Sequence, residues 1–242
     1  MNDFPDRELT VLPLIGCGSL FLVLLFLCLL PFFLVEVMNE AMSKLHLTPA
    51  QAFAALVGIF VGSLFNIPVH RLERTGEQWV DTIAVYGLWG WTPTRLRRVR
   101  SDTIIAVNVG GCVVPMLLVA MQIVHLLVVG GWPWIALFFV VGTNIAACYK
   151  VARPMPGVGI VMPGFVSPLV AVGLTWLLLP GGEYELLRAP VAFCGGVLGP
   201  IVGADLLHIK DIHKVSAGVV SIGGAGTFDG IVLSGVLAAV LA

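Results

Sequence analysis

The sequence predicts an all-α fold, a polytopic transmembrane helix bundle of about seven spans, on three grounds. Of 242 residues, 58% are hydrophobic and only 11% are charged, whereas an ordinary soluble domain has about 25% charged residues. The mean hydropathy is +1.01, so the polar side chains that cover a soluble globule are lacking. Apolar runs of about 20 residues, the length of a spanning helix, recur along the chain. A soluble enzyme and, at net charge −1, a nucleic-acid partner are excluded.

The apolar runs divide one transmembrane domain, residues 1–242, into seven predicted spans. The first run lacks a signal-peptide cleavage site, so we interpret it as a retained anchor. The second opens with Thr48, Pro49 and Gln51 in the positions of a helix cap. The predicted spans are residues 11–38, 48–66, 103–129, 134–149, 160–179, 189–209 and 215–242.

Two segments depart from this simple pattern. Residues 67–102 form a polar loop, for which we expect a cytoplasmic position and a short β-hairpin. In residues 215–242 the glycines Gly223, Gly224 and Gly226 interrupt the apolar run. That segment is either one span or a re-entrant piece followed by a short helix.

The basic residues predict the orientation of the spans, because cytoplasmic loops are rich in Lys and Arg. With the N-terminus inside, 11 of the 13 Lys and Arg residues fall in inner segments. Only Lys44 and Arg188 then fall in outer segments. We therefore expect a cytoplasmic N-terminus and a C-terminus outside.

Two acidic residues lie well inside apolar spans, where a charge is costly and usually marks function. Of the 14 Asp and Glu residues, these are Asp205 and Asp229. Counted along their helices, they lie about 6 Å and about 10 Å from the inner face. Consecutive spans joined by a short loop are antiparallel neighbours, so the sequence predicts a catalytic pair of carboxyl groups that meet.

Other polar and helix-breaking residues cluster in the same inner third of the bilayer. Irregular backbone at membrane depth is tolerated where it lines protein or water. The sequence therefore predicts a substrate- or ion-binding site that opens to the cytoplasm. Its candidate residues, besides the two aspartates, are Asn108, Asn144, Gly110, Gly111, Gly226, Pro163 and Pro168.

Structural roles remain open for each of these polar residues. Asp229 can cap the final helix, and Asp205 can pair with Lys210 or His208 at the interface. The asparagines Asn108 and Asn144 can instead join helices through hydrogen bonds.

No metal or cofactor is expected. The five cysteines are scattered singly and form no CxxC pair, which is typical of buried hydrophobic residues. The HExxH pattern is absent, and His208 and His213 are five residues apart, a spacing that suits a single metal poorly on a helix.

Three strings together resemble a known family: TIIAVNVGGCVVP, GPIVGADLL and GGAGTFDGIVLSGVLA. They resemble the prokaryotic multi-pass membrane proteins catalogued as domain-of-unknown-function family 1614, from about residue 53 onward. The resemblance implies a multi-pass protein of the prokaryotic cytoplasmic (inner) membrane. It implies no established activity.

A more distant similarity is to the intramembrane aspartyl proteases of the GxGD type. Those enzymes use two aspartates on adjacent helices, with a proline-containing element beside them. Here two residues separate Gly224-Ala225-Gly226 from Asp229, and Pro163 and Pro168 precede the aspartates instead of following them.

Three functions from different classes follow. The first is an intramembrane hydrolase acting on a membrane peptide through Asp205 and Asp229, with the fifth span gating access. The second is a small proton- or cation-coupled transporter, suggested by the recurrence of Gly110-Gly111-xxx-Pro115 as Gly195-Gly196-xxx-Pro200, an inverted-repeat pattern. The third is a non-catalytic membrane scaffold. Membrane lipid is an expected partner in each case, and a homo-oligomer is left open.

Overall fold

The computed structural model describes residues 17–72, 78–80, 97–99, 103–155, 159–214, 219–224 and 230–242. Most of these residues form seven α-helices, and two segments are wound as π-helices, Val109–Val113 and Gly199–Leu206. The α-helices are α1 (Cys17–Lys44), α2 (Pro49–Gly62), α3 (Val114–Val129), α4 (Gly131–Val151), α5 (Val166–Leu178), α6 (Glu185–Leu198) and α7 (Gly230–Leu241).

Four helical segments of the described chain are long and apolar enough to cross a membrane. They are Leu22–Lys44, Val109–Val129, Gly131–Val151 and Gly182–Leu206. The remaining helices α2, α5 and α7 are apolar but have only 14, 13 and 12 residues. By length and composition, then, four of the expected seven spans correspond to helices able to cross a membrane.

The start of α2 confirms the helix cap expected from the sequence. The Thr48 side chain accepts a hydrogen bond from the Gln51 backbone N–H at 3.3 Å, and Gln51 Oε1 accepts one from the Thr48 N–H at 2.9 Å. Pro49 occupies the first turn, where its missing N–H costs nothing.

A small three-stranded sheet adjoins the helices. Its strands are β1 (Asn66–Leu72), β4 (Thr103–Asn108) and β7 (Val219–Ile222), in the order β1-β4-β7. The central strand β4 is antiparallel to β1 and parallel to β7. Two further pairs are β2 (Gln78–Val80) with β3 (Arg97–Val99), and β5 (Arg153–Met155) with β6 (Gly159–Val161).

The predicted third span is wrong in its first six residues, since Thr103–Asn108 is a strand and the helix begins after it. A short apolar run rich in β-branched residues fits a buried strand as well as a helix. The neighbours on both sides of β4 satisfy its backbone polar groups, as buried backbone requires. Within the predicted polar loop, β2 and β3 pair antiparallel, and residues 81–96 between them lie outside the described chain.

The last predicted span is also divided. A strand, β7, precedes the 12-residue helix α7, so one continuous helix over residues 215–242 is wrong. The alternative, a separate segment followed by a short helix, is closer to the structure, with a strand in place of a re-entrant helix. Residues 225–229 lie outside the described chain.

Helix α6 forms the centre of the bundle and packs against α3, α4, α5 and α7. Its residues from Arg188 to Val197 are all buried. The helix runs from the end of the bundle that holds Lys44 and Arg188, called here the far end, to the π-helical segment Gly199–Leu206. This segment and the sheet form the opposite end, called here the site end.

Candidate functional site

The junction between β4 and the helix that follows it is organised by Asn108, whose side chain is fully buried. Its Oδ1 accepts a hydrogen bond from the Gly111 N–H at 2.7 Å, which caps the π-helical turn. Its Nδ2 donates to the Ser63 carbonyl at 2.8 Å and to Asn66 Oδ1 at 3.2 Å. Asn108 and Asn66 meet because they are cross-strand partners on β4 and β1.

The two glycines after Asn108 permit close approach of backbone to backbone. A Cβ on Gly110 would overlap the Ile59 carbonyl at the end of α2. A Cβ on Gly111 would overlap the carbonyl oxygen of Gly223, the residue that follows β7. The turn after β4 is therefore held against α2 at Gly110 and against the turn after β7 at Gly111.

Asp205 reaches this contact from the other side. It lies on the π-helical segment Gly199–Leu206, which follows α6. Its carboxyl group is half-buried, and Oδ2 accepts a hydrogen bond from the Gly223 backbone N–H at 3.4 Å. Gly223 has φ +87°, a left-handed conformation that favours glycine. Asp205 and the Asn108–Gly111 turn thus meet at one residue, Gly223.

A cavity of about 390 Å³ opens beside Asp205. Strand β7 lines one wall along its whole length, and Gly159 and Ile160 of β6 also line the cavity. Ser221 and Asn66 also line the cavity, and Ser221 donates a hydrogen bond to Asn66 Oδ1 at 2.7 Å. Among the described strands, β7 pairs only with β4.

Asn144 belongs to a different cluster, enclosed between α4, α5, α6 and α7. Its Nδ2 donates to the Gly195 carbonyl at 2.8 Å and to Ser167 Oγ at 3.0 Å. Ser234 donates to the Gly196 carbonyl at 2.7 Å. All three side chains are fully buried, and the described contacts give this cluster the character of interhelical packing.

The expected site residues therefore fall into three groups. The structure places Asn108, Gly111 and Asp205 around Gly223, with Gly110 beside them against the end of α2. Their common depth in a membrane stays a prediction. Asn144 lies in the separate cluster. Pro163 is exposed and precedes α5, whereas Pro168 is buried in the first turn of α5. Neither proline is among the described residues that line the cavity. Asp229 and Gly226 lie outside the described residues.

His208, a proposed partner of Asp205, is engaged elsewhere through its Nδ1. That atom lies 3.0 Å from the Ala204 carbonyl and 3.2 Å from the Gly203 carbonyl, so it satisfies the end of the π-helical segment. The ring packs on Tyr149 with 4.7 Å between centroids. In the described part of the chain, no group of three or more His, Cys, Asp and Glu side chains could hold a metal ion.

Four polar residues of these clusters were missed by the sequence reasoning. Asn66 and Ser221 face the cavity, and Ser167 and Ser234 complete the Asn144 cluster. Asn66 is the last residue of the second predicted span, so its position indicated a boundary and not a site. The serines lie singly within apolar runs, where one hydroxyl gives no pattern.

Within the described residues, these features define a mostly α-helical protein with four helices able to span a membrane and a cavity that holds Asp205 beside a small sheet. The family model described as "Protein of unknown function (DUF1614)" matches residues 60–241. The chain therefore belongs to this family, as the three motifs indicated. No curated protein and no solved structure matches the chain.

Proposed function

We propose that the protein is an intramembrane aspartyl-type hydrolase in which Asp205 and Asp229 form the catalytic pair. The observation that carries the proposal is the half-buried carboxyl of Asp205 on the wall of a cavity of about 390 Å³. That volume is within the range of ligand sites, about 300–1,000 Å³, and far exceeds what one bare ion needs. Asp229 follows the cavity residue Gly224 by only five positions, a step that spans at most about 18 Å.

Two close carboxyl groups in a low-dielectric site share one proton, because both cannot ionise. One carboxylate then takes a proton from water, and the water oxygen attacks the carbonyl carbon of the scissile amide. The other carboxyl gives its proton to the carbonyl oxygen. The tetrahedral intermediate collapses with breakage of the C–N bond. The carboxyl group that took the water proton gives it to the amine nitrogen, and one hydroxyl proton of the intermediate returns to the other carboxylate.

The edge of β7 supports a peptide as the substrate. A helical peptide shields its carbonyl carbons, so a protease inside the membrane must hold it extended. An extended peptide can add to an exposed sheet edge through main-chain hydrogen bonds. Strand β7 lines the cavity beside Asp205 and pairs on one side only among the described strands.

The proposal is tested by substituting each acid with its amide. Membranes carrying the wild-type protein are incubated in H₂¹⁸O with a panel of double-tagged single-span peptides. The masses of the products are then measured by mass spectrometry. We expect cleavage with one ¹⁸O incorporated, reduced at least 100-fold in Asp205→Asn and in Asp229→Asn. The matched control is Asp211→Asn, six residues later in the chain on the 3₁₀ segment Ile209–Lys214, because Asp211 is not among the described residues that line the cavity.

A second readout uses binding instead of turnover. A photoreactive peptide with a hydroxyethylene group in place of the scissile bond mimics the tetrahedral intermediate, and such mimics bind far more tightly than substrates. We expect it to label the wild type and the Asp211→Asn variant but neither cavity variant. Equal labelling or cleavage by all four proteins would overturn the proposal.

A proton- or cation-coupled transporter is the alternative, favoured by the π-helical segment at Asp205. Such a segment shifts backbone carbonyls from their usual partners, as in the broken helices that bind ions in transporters. The readout that separates the two functions is ion-dependent uptake into liposomes without peptide cleavage.

A non-catalytic scaffold is the second alternative. It is supported by the buried cluster of Asn144, Ser167 and Ser234, which joins four helices through hydrogen bonds. It requires Asp205 to be sealed from solvent, and the half-buried carboxyl on a cavity wall counts against this.

The proposed setting is the prokaryotic inner membrane, with the short helices α2, α5 and α7 completing seven passes. The N-terminus is then cytoplasmic and the C-terminus lies outside, so that the site end faces the cytoplasm. Lipid surrounds the bundle, and a homo-oligomer is compatible with its exposed apolar side chains, such as Phe32 and Phe53.

A further inference from the structure

A second cavity, of about 460 Å³, lies at the far end of the bundle. The ends of α1 and α7 and the start of α6 enclose it, and its lining includes Lys44, His46, Trp176, Glu185 and Arg188. Arg188 and Asp205 are 17 residues apart on the continuous helical segment, about 25 Å at 1.5 Å per residue. This cavity is thus separated from the Asp205 cavity by nearly the thickness of a bilayer core.

Arg188 is only 6% exposed, and it forms no ion pair within the described chain. Its Nε donates to the Leu179 carbonyl at 2.8 Å, and its Nη2 donates to the Gly181 carbonyl. The guanidinium carbon lies 4.0 Å above the Trp176 ring centre. Carbonyls and a ring fix the guanidinium in place, but they supply no net negative charge, and an uncompensated buried charge is costly.

Lys44 brings a second positive charge to the same cavity. The half-buried Lys44 donates from Nζ to the Val240 carbonyl at 2.6 Å, near the end of α7. An ammonium group has three donors and a guanidinium has five, so both cations keep donors beyond the hydrogen bonds described. Glu185 is the one acidic side chain among the described residues that line the cavity, so the two cationic side chains outnumber it.

The positions of these cations in the chain are informative. Lys44 and Arg188 are the two basic residues that the distribution of Lys and Arg along the chain predicts to lie on the outer side. Outer segments usually lack Lys and Arg, and here both converge on one cavity. Trp176 is 48% exposed and Leu241 54% exposed beside it, so an apolar surface adjoins the cationic cavity.

We propose that the far-end cavity binds an anionic phosphate group, with Lys44 and Arg188 as its ligands. The source that fits the adjoining apolar surface is the headgroup of an anionic phospholipid, whose chains lie against Trp176 and Leu241. This site is independent of the Asp205 cavity and of the hydrolase proposal.

The test measures thermal unfolding of the full-length protein in nanodiscs. Discs of phosphatidylcholine alone are compared with discs containing phosphatidylglycerol, and with phosphatidylcholine discs in millimolar inorganic phosphate. We expect phosphatidylglycerol to raise the Tm of the wild type by about 5 °C. The rise should be lost in Arg188→Gln and in Lys44→Gln and retained in Arg153→Gln, an exposed arginine outside this cavity.

A count of phosphatidylglycerol molecules retained after detergent washing provides a second readout. If Arg188→Gln fails to fold, the test relies on Lys44→Gln. This variant loses one hydrogen bond only, the one from Lys44 to the Val240 carbonyl. A rise with inorganic phosphate that equals the rise with phosphatidylglycerol assigns the same site to a free anion. The same lipid-dependent Tm in Lys44→Gln and wild type, or no lipid effect at all, would overturn the proposal.

Discussion

The backbone N–H of Gly223 donates a hydrogen bond to Oδ2 of Asp205 at 3.4 Å. This contact joins the turn after β7 to the π-helical segment at the end of α6. On its other face, Gly223 lies against Gly111 in the turn after β4. One glycine therefore links the acid to both parallel strands of the sheet, and the position of Asp205 depends on that glycine.

The first prediction concerns this link. In Gly223→Ala, the new Cβ would stand 2.7 Å from Cys112 Cβ, at φ +87°. The left-handed conformation costs about 1–2 kcal/mol, and overpacking adds about 1–3 kcal/mol. We expect a clear fall in Tm in detergent micelles and loss of any activity that needs Asp205. The control is Gly173→Ala, where α5 leaves open space for a Cβ and Tm should hold or rise.

The second prediction separates the donors of Asn108 from its acceptor. Asn108→Asp keeps an oxygen for the Gly111 N–H but loses the amide donors to the Ser63 carbonyl and Asn66. A buried carboxylate would then face oxygen atoms without a donor between them, which costs several kcal/mol. We expect severe destabilisation in thermal unfolding, or no folded protein. Stability equal to wild type would contradict the hydrogen-bond assignment.

Part of this arrangement was predictable from the sequence. The helix cap at Thr48 was predictable because it depends on two residues that are three positions apart in the sequence. The proximity of Asn108 and Asp205 was expected from a depth count by helix rise, but Asn108 ends a strand, so that count does not apply to it and their common depth stays a prediction. The irregular backbone around Gly110 and Gly111 was also expected, and the π-helical turn bears this out.

The sheet was not predictable in the same way. β4 pairs with β7, more than 100 residues later in the chain, and no local pattern reveals such a partner. An apolar strand buried on both sides lacks the alternation of a half-exposed strand. The segment 103–108 therefore resembled the start of a helix. An interhelical role for Asn144 was among the expectations, but its serine partners were missed for a similar reason, since Ser167 and Ser234 join it only after four helices have packed.

The third prediction assigns Asn144 to stability instead of catalysis. Asn144→Ala removes hydrogen bonds to the Gly195 carbonyl and to Ser167, leaving buried groups with fewer partners. Each unsatisfied buried group costs about 1–3 kcal/mol. We expect a lower Tm with cleavage per folded molecule unchanged. Thr143→Ala, at the adjacent exposed position of α4, should leave both measurements unchanged.

The fourth prediction tests on which side of the membrane the Asp205 cavity opens. Single cysteines are introduced as Ser221→Cys in that cavity and as Ser43→Cys at the far end, after Cys17 and Cys28 have been replaced by serine. A charged maleimide is applied to intact cells and to inverted membrane vesicles. Ser43→Cys should react in cells and Ser221→Cys in vesicles only, because basic residues concentrate at the site end. Thr175→Cys, fully buried in α5, is the unreactive control.

The pattern of labelling also discriminates between the functional proposals. A hydrolase needs water from one side, so its cavity can stay closed toward the other side throughout the reaction. A transporter must expose the same site alternately to both sides. Reaction of Ser221→Cys in intact cells as well as in vesicles would therefore favour the transporter. Reaction of Ser221→Cys in intact cells alone would mean that the Asp205 cavity opens to the outside. The orientation predicted from the distribution of Lys and Arg would then be wrong.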